Sequence, residues 1–353
     1  MENEKIKIGL LHVWGKENVG DVAIVRAVKK MLTDNLDLEI EFDDYPMEIL
    51  QKLNAINLER LNSCNVVIIG GGGIYYKEFL PYDNENIKKI KSPLVIFGVG
   101  YIREIGSEGM DEEERRGLYE LNTKAALSSV RDGRTKELLV ESGVDAEKIE
   151  VVGDPAIFLP EIATDRINFD MGRIKVGMNL NYAGWIGFGK YEEMIVNSYN
   201  QVGRYFQDNF GAQIFYMKHH PGESDIVDRL EMEDLKVIDL AAEEQKYAYG
   251  RLDLALGMKL HSAVLAFGAE TPFLNLGYDV RNKSFGDFIG FPELVIGANE
   301  LEEGMLVSKM LEVFDKREFY QKKFVARKKD ILKTQIEFIK KIEKLIKENN
   351  GKN

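Results

Sequence analysis

Short apolar runs alternate with longer amphipathic stretches along the first half of the chain. Apolar runs occur at Ile6–Val13 and in "CNVVIIGGGG", "SPLVIFGVG" and "KIEVVGDPAIFL", and stretches with helical spacing lie between them, as in Val22–Leu36. Strands that alternate with helices are typical of a parallel sheet covered on both faces. The pattern therefore predicts an open α/β domain.

A polar stretch, "LPEIATDRINFDMGR", shows no periodicity and interrupts this alternation. The alternation then restarts with the strand candidates "IKVGMNLN", "AQIFYMKHH", "LKVIDL", "RLDLALGM" and "PFLNLGYD". We therefore predict two Rossmann-like α/β domains, at residues 1–165 and 166–316.

Residues 317–353 follow a different pattern, with apolar positions on one helical face among many lysines. The apolar positions are Phe324, Ile331, Phe338, Ile339, Ile342, Leu345 and Ile346. This spacing predicts a long C-terminal helix whose apolar face packs across the two domains. A helix that binds a membrane surface or a partner protein is the alternative.

Composition excludes several classes of protein. The chain of 353 residues carries a net charge of −12 and has one cysteine, Cys64. An acidic chain is poorly suited to sequence-independent binding of nucleic acid, and one cysteine allows neither an intrachain disulfide nor a Cys-based zinc site. Neither a signal peptide nor an apolar run of about 18 residues occurs, so we expect a soluble, cytoplasmic protein with at most peripheral membrane contact.

Two candidate sites lie where strands of the first domain end, which is where open α/β sheets bind ligands. Gly71, Gly72 and Gly73 could turn backbone amides towards an anion, or could let a strand and a helix pack closely. Asn18 and Asp21, in "ENVGD", precede a helix. Either could cap that helix, and Asp21 could also orient a substrate hydroxyl or accept its proton.

Cationic candidates follow strands in both domains. Arg131, in "SVRD", could bind a carboxylate or phosphate, or could pair with Asp132. Lys259, His261 and Ser262 lie together in "GMKLHS". A cation and an imidazole at the start of a helix would suit an anionic substrate that needs a proton, so we predict a functional site there.

The remaining histidines, His12, His219 and His220, lack partners at a spacing typical of a metal site. We therefore predict no metal, and we interpret His219 and His220 as surface or substrate-contacting residues. His12, at the end of the first strand, could line the same cleft.

The motifs "NVGD", "GGGG", "SVRD", "VGDPA" and "GMKLHSAVLAFGAETPFLNLGYD" occur in the order found in polysaccharide pyruvyl transferases, and this resemblance spans roughly residues 8 to 290. The resemblance implies a GT-B-type fold with the active site between the domains. It also implies transfer of the enolpyruvyl group of phosphoenolpyruvate to two hydroxyls of one sugar in a cell-surface glycan or lipid-linked acceptor, giving a pyruvate ketal without a cofactor.

By the same resemblance, Arg131 and Lys259 would hold the donor's carboxylate and phosphate, and His261 would be the acid. We also predict that Asn18, Ser262 and the glycines Gly71, Gly72 and Gly73 contribute to substrate binding. Asp21 would be the base or hydroxyl-orienting group. The family usually carries arginine where this chain has Lys259, and lysine keeps the charge but loses the planar fork. A GT-B glycosyltransferase that uses a nucleotide sugar, and a non-catalytic sugar- or anion-binding protein, are the alternatives.

Overall fold

A computed structural model describes residues 5–15 and 17–350. Its first half forms a parallel six-stranded sheet with helices on both faces. The strands are β1 (Ile6–His12), β2 (Ile40–Pro46), β3 (Val66–Tyr75), β4 (Leu94–Tyr101), β5 (Leu127–Val130) and β6 (Ile149–Val151). The helices are α1 (Val19–Asn35), α2 (Ala55–Asn62), α3 (Asn84–Ile87), α4 (Glu112–Lys124) and α5 (Gly133–Glu141).

The second half forms another parallel six-stranded sheet. Its strands are β7 (Lys175–Asn179), β8 (Gln213–Met217), β9 (Lys236–Ile238), β10 (Leu254–Gly257), β11 (Phe273–Gly277) and β12 (Val295–Gly297). Its helices are α6 (Ile186–Gly189), α7 (Glu192–Phe210), α8 (Ser224–Val227), α9 (Ala242–Tyr249), α10 (Leu260–Gly268), α11 (Val280–Ile289) and α12 (Met305–Asp315). Helix α13 (Arg317–Asn350) follows. The predicted α/β class with a long C-terminal helix is confirmed.

The strand order explains where a ligand could bind. The first sheet has the order β2-β1-β3-β4-β5-β6, and the second has the order β12-β11-β10-β7-β8-β9. The direction of the chain across the sheet therefore reverses between β1 and β3, and again between β7 and β10. Open parallel sheets bind ligands beyond the carboxyl ends of the strands at such switch points.

The glycine run lies differently from our prediction. The sequence predicts glycines at the end of a strand, but Gly70–Gly73 lie inside β3, which continues to Tyr75. Every residue of β3 is buried, because strands inside a parallel sheet are covered on both faces.

Helix α13 packs against both halves of the molecule. Near its start, Phe324 contacts the rings of Phe267 and Phe273, at centroid distances of 5.0 and 5.7 Å. Further along, Phe338 stacks on Phe97 of β4 at 5.6 Å. These apolar side chains are buried in protein, so this face of the helix is occupied. Of the described helices, none has the length and apolar character needed to cross a bilayer.

A buried lysine joins the two halves. Lys246 of α9 donates hydrogen bonds from its ammonium to the carbonyl oxygens of Ile157 (2.8 Å) and Leu159 (2.6 Å). These carbonyls lie in and just after a short 3₁₀ turn at Pro155–Phe158 that follows β6. Burial, with a smaller contribution from Lys328, lowers the pKa of Lys246 to about 8 from its ordinary value of 10.5.

This lowered pKa predicts a pH dependence of stability. Between pH 8 and 10.5 the unfolded chain holds a proton on Lys246 that the folded chain has released, so folding becomes more favourable as the pH rises. The free energy of unfolding of the wild type, minus that of Lys246→Met, should rise across this window by up to about 1.4 kcal/mol per pH unit. Urea unfolding at several pH values measures it.

Exposed Lys333 provides the matched control. The free energy of unfolding of the wild type, minus that of Lys333→Met, should not change over the same pH range. If the corresponding difference for Lys246→Met did not change with pH either, the prediction would be contradicted.

Candidate functional site

A small cavity of about 190 Å³ lies between the two sheets, where their switch points face each other. Its wall combines residues that follow β1, β3 and β4 of the first sheet and β7, β8, β10 and β11 of the second, because the carboxyl ends of these strands converge there. The acidic and basic side chains of the wall are Asp21, Glu78, Glu104, His219, Lys259, His261 and Arg281. Residues that are remote in sequence from both halves of the chain therefore meet in one place.

His261 lies in the first turn of α10, with its side chain 12% exposed. Its Nε2 lies 3.7 Å from Oδ2 of Asp154. The ring packs directly on Gly20 of α1: a Cβ atom at that position would lie 2.2 Å from the Nδ1 of His261. Glycine at position 20 is thus what allows helices α1 and α10 to approach closely enough to place the imidazole in the cavity.

Asp154 lies behind His261 and is almost fully buried. Its Oδ1 accepts a hydrogen bond from the backbone N–H of Ala156 (2.9 Å), and its Oδ2 lies 3.4 Å from Nη1 of Arg131. Burial alone would raise the pKa of Asp154, but His261 and Arg131 outweigh that effect and lower it. Asp154 is therefore a carboxylate that contacts the imidazole from the protein side.

Arg131 does not lie where we predict it. It is 3% exposed, it is not part of the cavity wall, and its Nε lies 3.4 Å from Oδ2 of Asp132. The sequence left open a structural pair with Asp132, and the structure contains that pair together with the contact to Asp154. Arg131 thus lies behind Asp154 and His261, on the side away from the cavity.

Lys259 reaches the cavity wall at the N-cap position of α10. Its Nζ lies 2.5 Å from Oε1 of Glu223 and 5.0 Å from the ring centroid of Tyr182. Burial lowers the pKa of Lys259, although Glu223 opposes the shift. Glu223 is itself held by the backbone N–H of His219 (3.0 Å) and the hydroxyl of Tyr216 (3.1 Å). The lysine is therefore a positioned cation.

Arg281 is a wall residue that sequence reasoning missed. It is the second residue of α11, whose N-cap is Asp279, and its Nε lies 2.9 Å from Oδ1 of Asp279. A Cβ atom at Gly73 would lie 3.5 Å from Nη1 of Arg281. Burial opposes its charge, but Asp279 outweighs burial and raises the pKa of Arg281. The signal that could have found it is the Asp-x-Arg sequence of residues 279–281, which begins at the last residue of "PFLNLGYD".

The sequence left open whether Asn18 and Asp21 cap helix α1 or contact a substrate. In the structure Asn18 is the cap, and both residues line the cavity. Asn18 is the N-cap of α1, and its Oδ1 accepts a hydrogen bond from the backbone N–H of Gly20 (3.0 Å). Asp21 lies in the first turn of α1 and, like Asn18, lines the cavity. Burial raises the pKa of Asp21, while the charges of His261 and Arg281 oppose the shift. A raised pKa makes a carboxylate a stronger base, which favours its accepting a proton from a hydroxyl.

The other predicted contacts are not brought to the cavity, apart from one glycine. Gly71 and Gly72 have φ values of 69° and 85° and pack against helix α1, whereas Gly73 lines the cavity. Close packing of a strand and a helix is thus the role of Gly71 and Gly72. Ser262 is buried, and its hydroxyl donates a hydrogen bond to the carbonyl oxygen of Lys259 (2.6 Å).

A large cavity of about 800 Å³ lies beside the small one and shares Val13 and His219 with it. His12, His219 and His220 all line this large cavity, and His219 is fully buried, so it is not a surface residue. Within residues 5–15 and 17–350, no group of three or more His, Cys, Asp or Glu side chains is arranged to hold a metal ion.

Buried polar atoms without a hydrogen-bond partner in the protein cluster around the small cavity. They include Nδ2 of Asn181, Nε1 of Trp185 and Nδ1 of His219, all in residues of its wall. Buried polar groups in folded proteins normally have partners. This wall therefore offers hydrogen-bonding groups to a polar ligand, in addition to two cations, two imidazoles and three carboxylates.

Comparison with known proteins gives both a family and a fold. A family model described as polysaccharide pyruvyl transferase matches residues 18–280. No curated protein matches the chain.

Solved structures that resemble the chain include a putative UDP-N-acetylglucosamine 2-epimerase from Listeria monocytogenes (14% identity, 91% of each chain, TM-score 0.56). Alr3699/HepE from Anabaena in complex with UDP-glucose is also similar (14% identity, 93% of this chain and 99% of that chain, TM-score 0.51). A third is UDP-GlcNAc 2-epimerase from Neisseria meningitidis bound to UDP-GlcNAc (10% identity, 90% of this chain and 94% of that chain, TM-score 0.57). At these identities the likeness shows the fold alone, and it confirms the predicted GT-B-type arrangement.

Proposed function

Because the chain belongs to the polysaccharide pyruvyl transferase family, we propose that it transfers the enolpyruvyl group of phosphoenolpyruvate to a sugar of a cell-surface glycan. The C–O bond to phosphate breaks, and two C–O bonds form between the former enol carbon and two hydroxyls of one sugar. One hydroxyl proton ends on the methyl group and the other on the phosphate, so the products are a pyruvate ketal and inorganic phosphate.

The observation that carries this proposal is the meeting of Lys259, Arg281 and His261 in one small cavity. Phosphoenolpyruvate carries a carboxylate and a phosphate, and two positioned cations suit these two groups. The planar fork that Lys259 lacks is available from Arg281. A volume of about 190 Å³ also suits a three-carbon donor better than a nucleotide sugar, since sites for drug-sized ligands occupy about 300–1,000 Å³.

The proton chemistry follows from His261 and Asp21. We assign His261, as the imidazolium, to protonate the methylene carbon of the donor, which makes the enol carbon electrophilic. Asp154 contacts the imidazole from behind and orients it. Asp21 then accepts a proton from an attacking sugar hydroxyl, and its raised pKa suits this exchange. Arg131 acts on this site only through Asp154, not through the donor.

Side chains supply every charge that this reaction needs, so we propose that it requires no cofactor. Phosphoenolpyruvate is a cytoplasmic metabolite, and we place the reaction in the cytoplasm, with membrane contact at most peripheral and with a glycan or lipid-linked sugar as acceptor.

The proposal is tested in two steps. The first compares how much phosphoenolpyruvate and a nucleotide sugar stabilise the folded protein, and the second weakens the anion-binding site by substitution of Arg281. Phosphoenolpyruvate at a hundred times its Kd should stabilise the folded protein by about 2.7 kcal/mol, and a nucleotide sugar should not. Arg281→Lys keeps the charge but loses the fork, so the KM for phosphoenolpyruvate should rise about tenfold, the cost of roughly one charge-assisted hydrogen bond. Phosphate release with a panel of glycans measures turnover.

Arg204→Lys is the matched control, because Arg204 pairs with exposed Glu231 outside the small cavity. Stabilisation by a nucleotide sugar in place of phosphoenolpyruvate would favour a glycosyltransferase. Stabilisation by phosphoenolpyruvate without phosphate release on any glycan would favour a binding protein.

A further inference from the structure

The large cavity, beside the small one, contains an exposed aromatic surface. Trp14 follows β1 and is 46% exposed, and its ring stacks on that of His12, with centroids 5.3 Å apart and planes within 11°. Large exposed aromatic rings in a cavity wall are typical of ligand sites. The flat, apolar C–H face of a sugar ring packs well against an aromatic face of this kind.

The charges of this cavity are balanced. Each cation of the described wall has a carboxylate partner: the pairs are Lys29–Asp44 at 2.6 Å, Lys218–Asp239 at 3.1 Å, and Arg26–Glu243. The imidazole of His12 also faces Asp44, at 3.3 Å. Paired acids and bases next to an aromatic face offer both donors and acceptors for uncharged hydroxyls.

One polar residue lines both this cavity and the small one. His219 is fully buried and lines both cavities; its Nε2 lies 3.0 Å from the hydroxyl of Tyr249, while Nδ1 has no partner in the protein. Burial lowers the pKa of His219 well below its usual value, so the ring is neutral and can form a hydrogen bond with a hydroxyl without adding charge.

From this geometry we propose that the large cavity is the acceptor site and takes a neutral oligosaccharide. A terminal sugar passes His219 to reach the small cavity, and the preceding sugar packs on Trp14. The volume of about 800 Å³ lies in the range of sites for ligands larger than one sugar. This inference rests on the proposed function, since it assigns the second substrate of the same reaction.

The two tryptophans of the chain allow a direct test, because Trp14 lines the large cavity and Trp185 the small one. Trp185→Phe leaves Trp14 as the only tryptophan, and its fluorescence should change saturably with neutral di- and trisaccharides of hexoses and N-acetylhexosamines. Trp14→Phe leaves Trp185, which should respond to phosphoenolpyruvate. A missing response of Trp185 would count against the proposed donor, whereas a missing response of Trp14 to every oligosaccharide would overturn only the acceptor site.

A saturable change in Trp14 fluorescence with UDP or UDP-sugars, and none with neutral oligosaccharides, would also overturn the inference, since it would make the large cavity a nucleotide site.

Steady-state kinetics test the acceptor site independently. Trp14→Ala should raise the KM for the glycan about tenfold, with the KM for phosphoenolpyruvate unchanged, and Trp14→Phe should restore most of the loss. Phe319→Ala, at an exposed ring of α13 outside both cavities, should leave both KM values unchanged.

Discussion

Replacing His261 with alanine is expected to lower kcat by about 10²–10⁴-fold, the usual contribution of a positioned acid. The reason is geometric: the imidazole is the titratable group held between Asp154 and the cavity, where a donor bound by Lys259 and Arg281 would present its methylene carbon. Stopped assays of phosphate release measure the change. The shift in Tm caused by phosphoenolpyruvate should persist, because the anion-binding side chains remain.

His261→Gln separates proton transfer from packing. Glutamine can still form a hydrogen bond with Asp154 and fills much of the space, but it cannot supply a proton at neutral pH. We therefore expect it to be as slow as the alanine variant. Turnover near the wild-type rate in either variant would remove His261 from the chemistry.

Replacing Asp154 with asparagine is expected to lower kcat by about 10²-fold while the KM for phosphoenolpyruvate changes less than about twofold. Removing the carboxylate that orients a catalytic imidazole costs about 10⁴-fold in a serine protease. The contact here is longer, with Nε2 of His261 at 3.7 Å, and we expect a smaller loss. Because Asp154 lies behind His261, donor binding should be nearly unaffected, and steady-state kinetics separate the two parameters.

Asp132 offers a matched control for this variant. Like Asp154 it lies 3.4 Å from the guanidinium of Arg131, but its side chain caps α5 and no contact joins it to His261 in the described structure. Asparagine is as good an N-cap as aspartate, so Asp132→Asn should fold normally and keep kcat within about threefold of the wild type. Equal losses in both variants would mean that Asp154 acts by holding Arg131 rather than by orienting His261.

Local pattern predicted the architecture and part of the site. Long apolar runs between amphipathic stretches identify strands of a parallel sheet, because such strands are buried on both faces. Lys259 and His261 could be found because they follow a strand directly, where ligands bind in this class of fold. These inferences depend on neighbours in sequence, and the structure brings both residues to the small cavity.

The positions of Arg131, Arg281 and Asp154 could not be predicted, because they depend on contacts between segments that are distant in sequence. An arginine after a strand can face a ligand or the interior, and Arg131 faces inward because Asp132 and Asp154 lie there. Arg281 enters the cavity only because the second sheet faces the first. Asp154 lies in "VGDPA", which the local pattern identifies only as a turn. Its contact with His261 depends on how helix α10 packs against this turn.

Helix α13 has a consequence for how the protein is made. Phe97 of β4 leaves the ribosome early, and the ring that covers it, Phe338, is synthesised much later. Domains usually fold as units during translation, as soon as their own residues have emerged. Here the apolar surface that Phe338 covers stays exposed until α13 has been synthesised, so the first half cannot complete its folding as a self-contained unit before the second half has emerged.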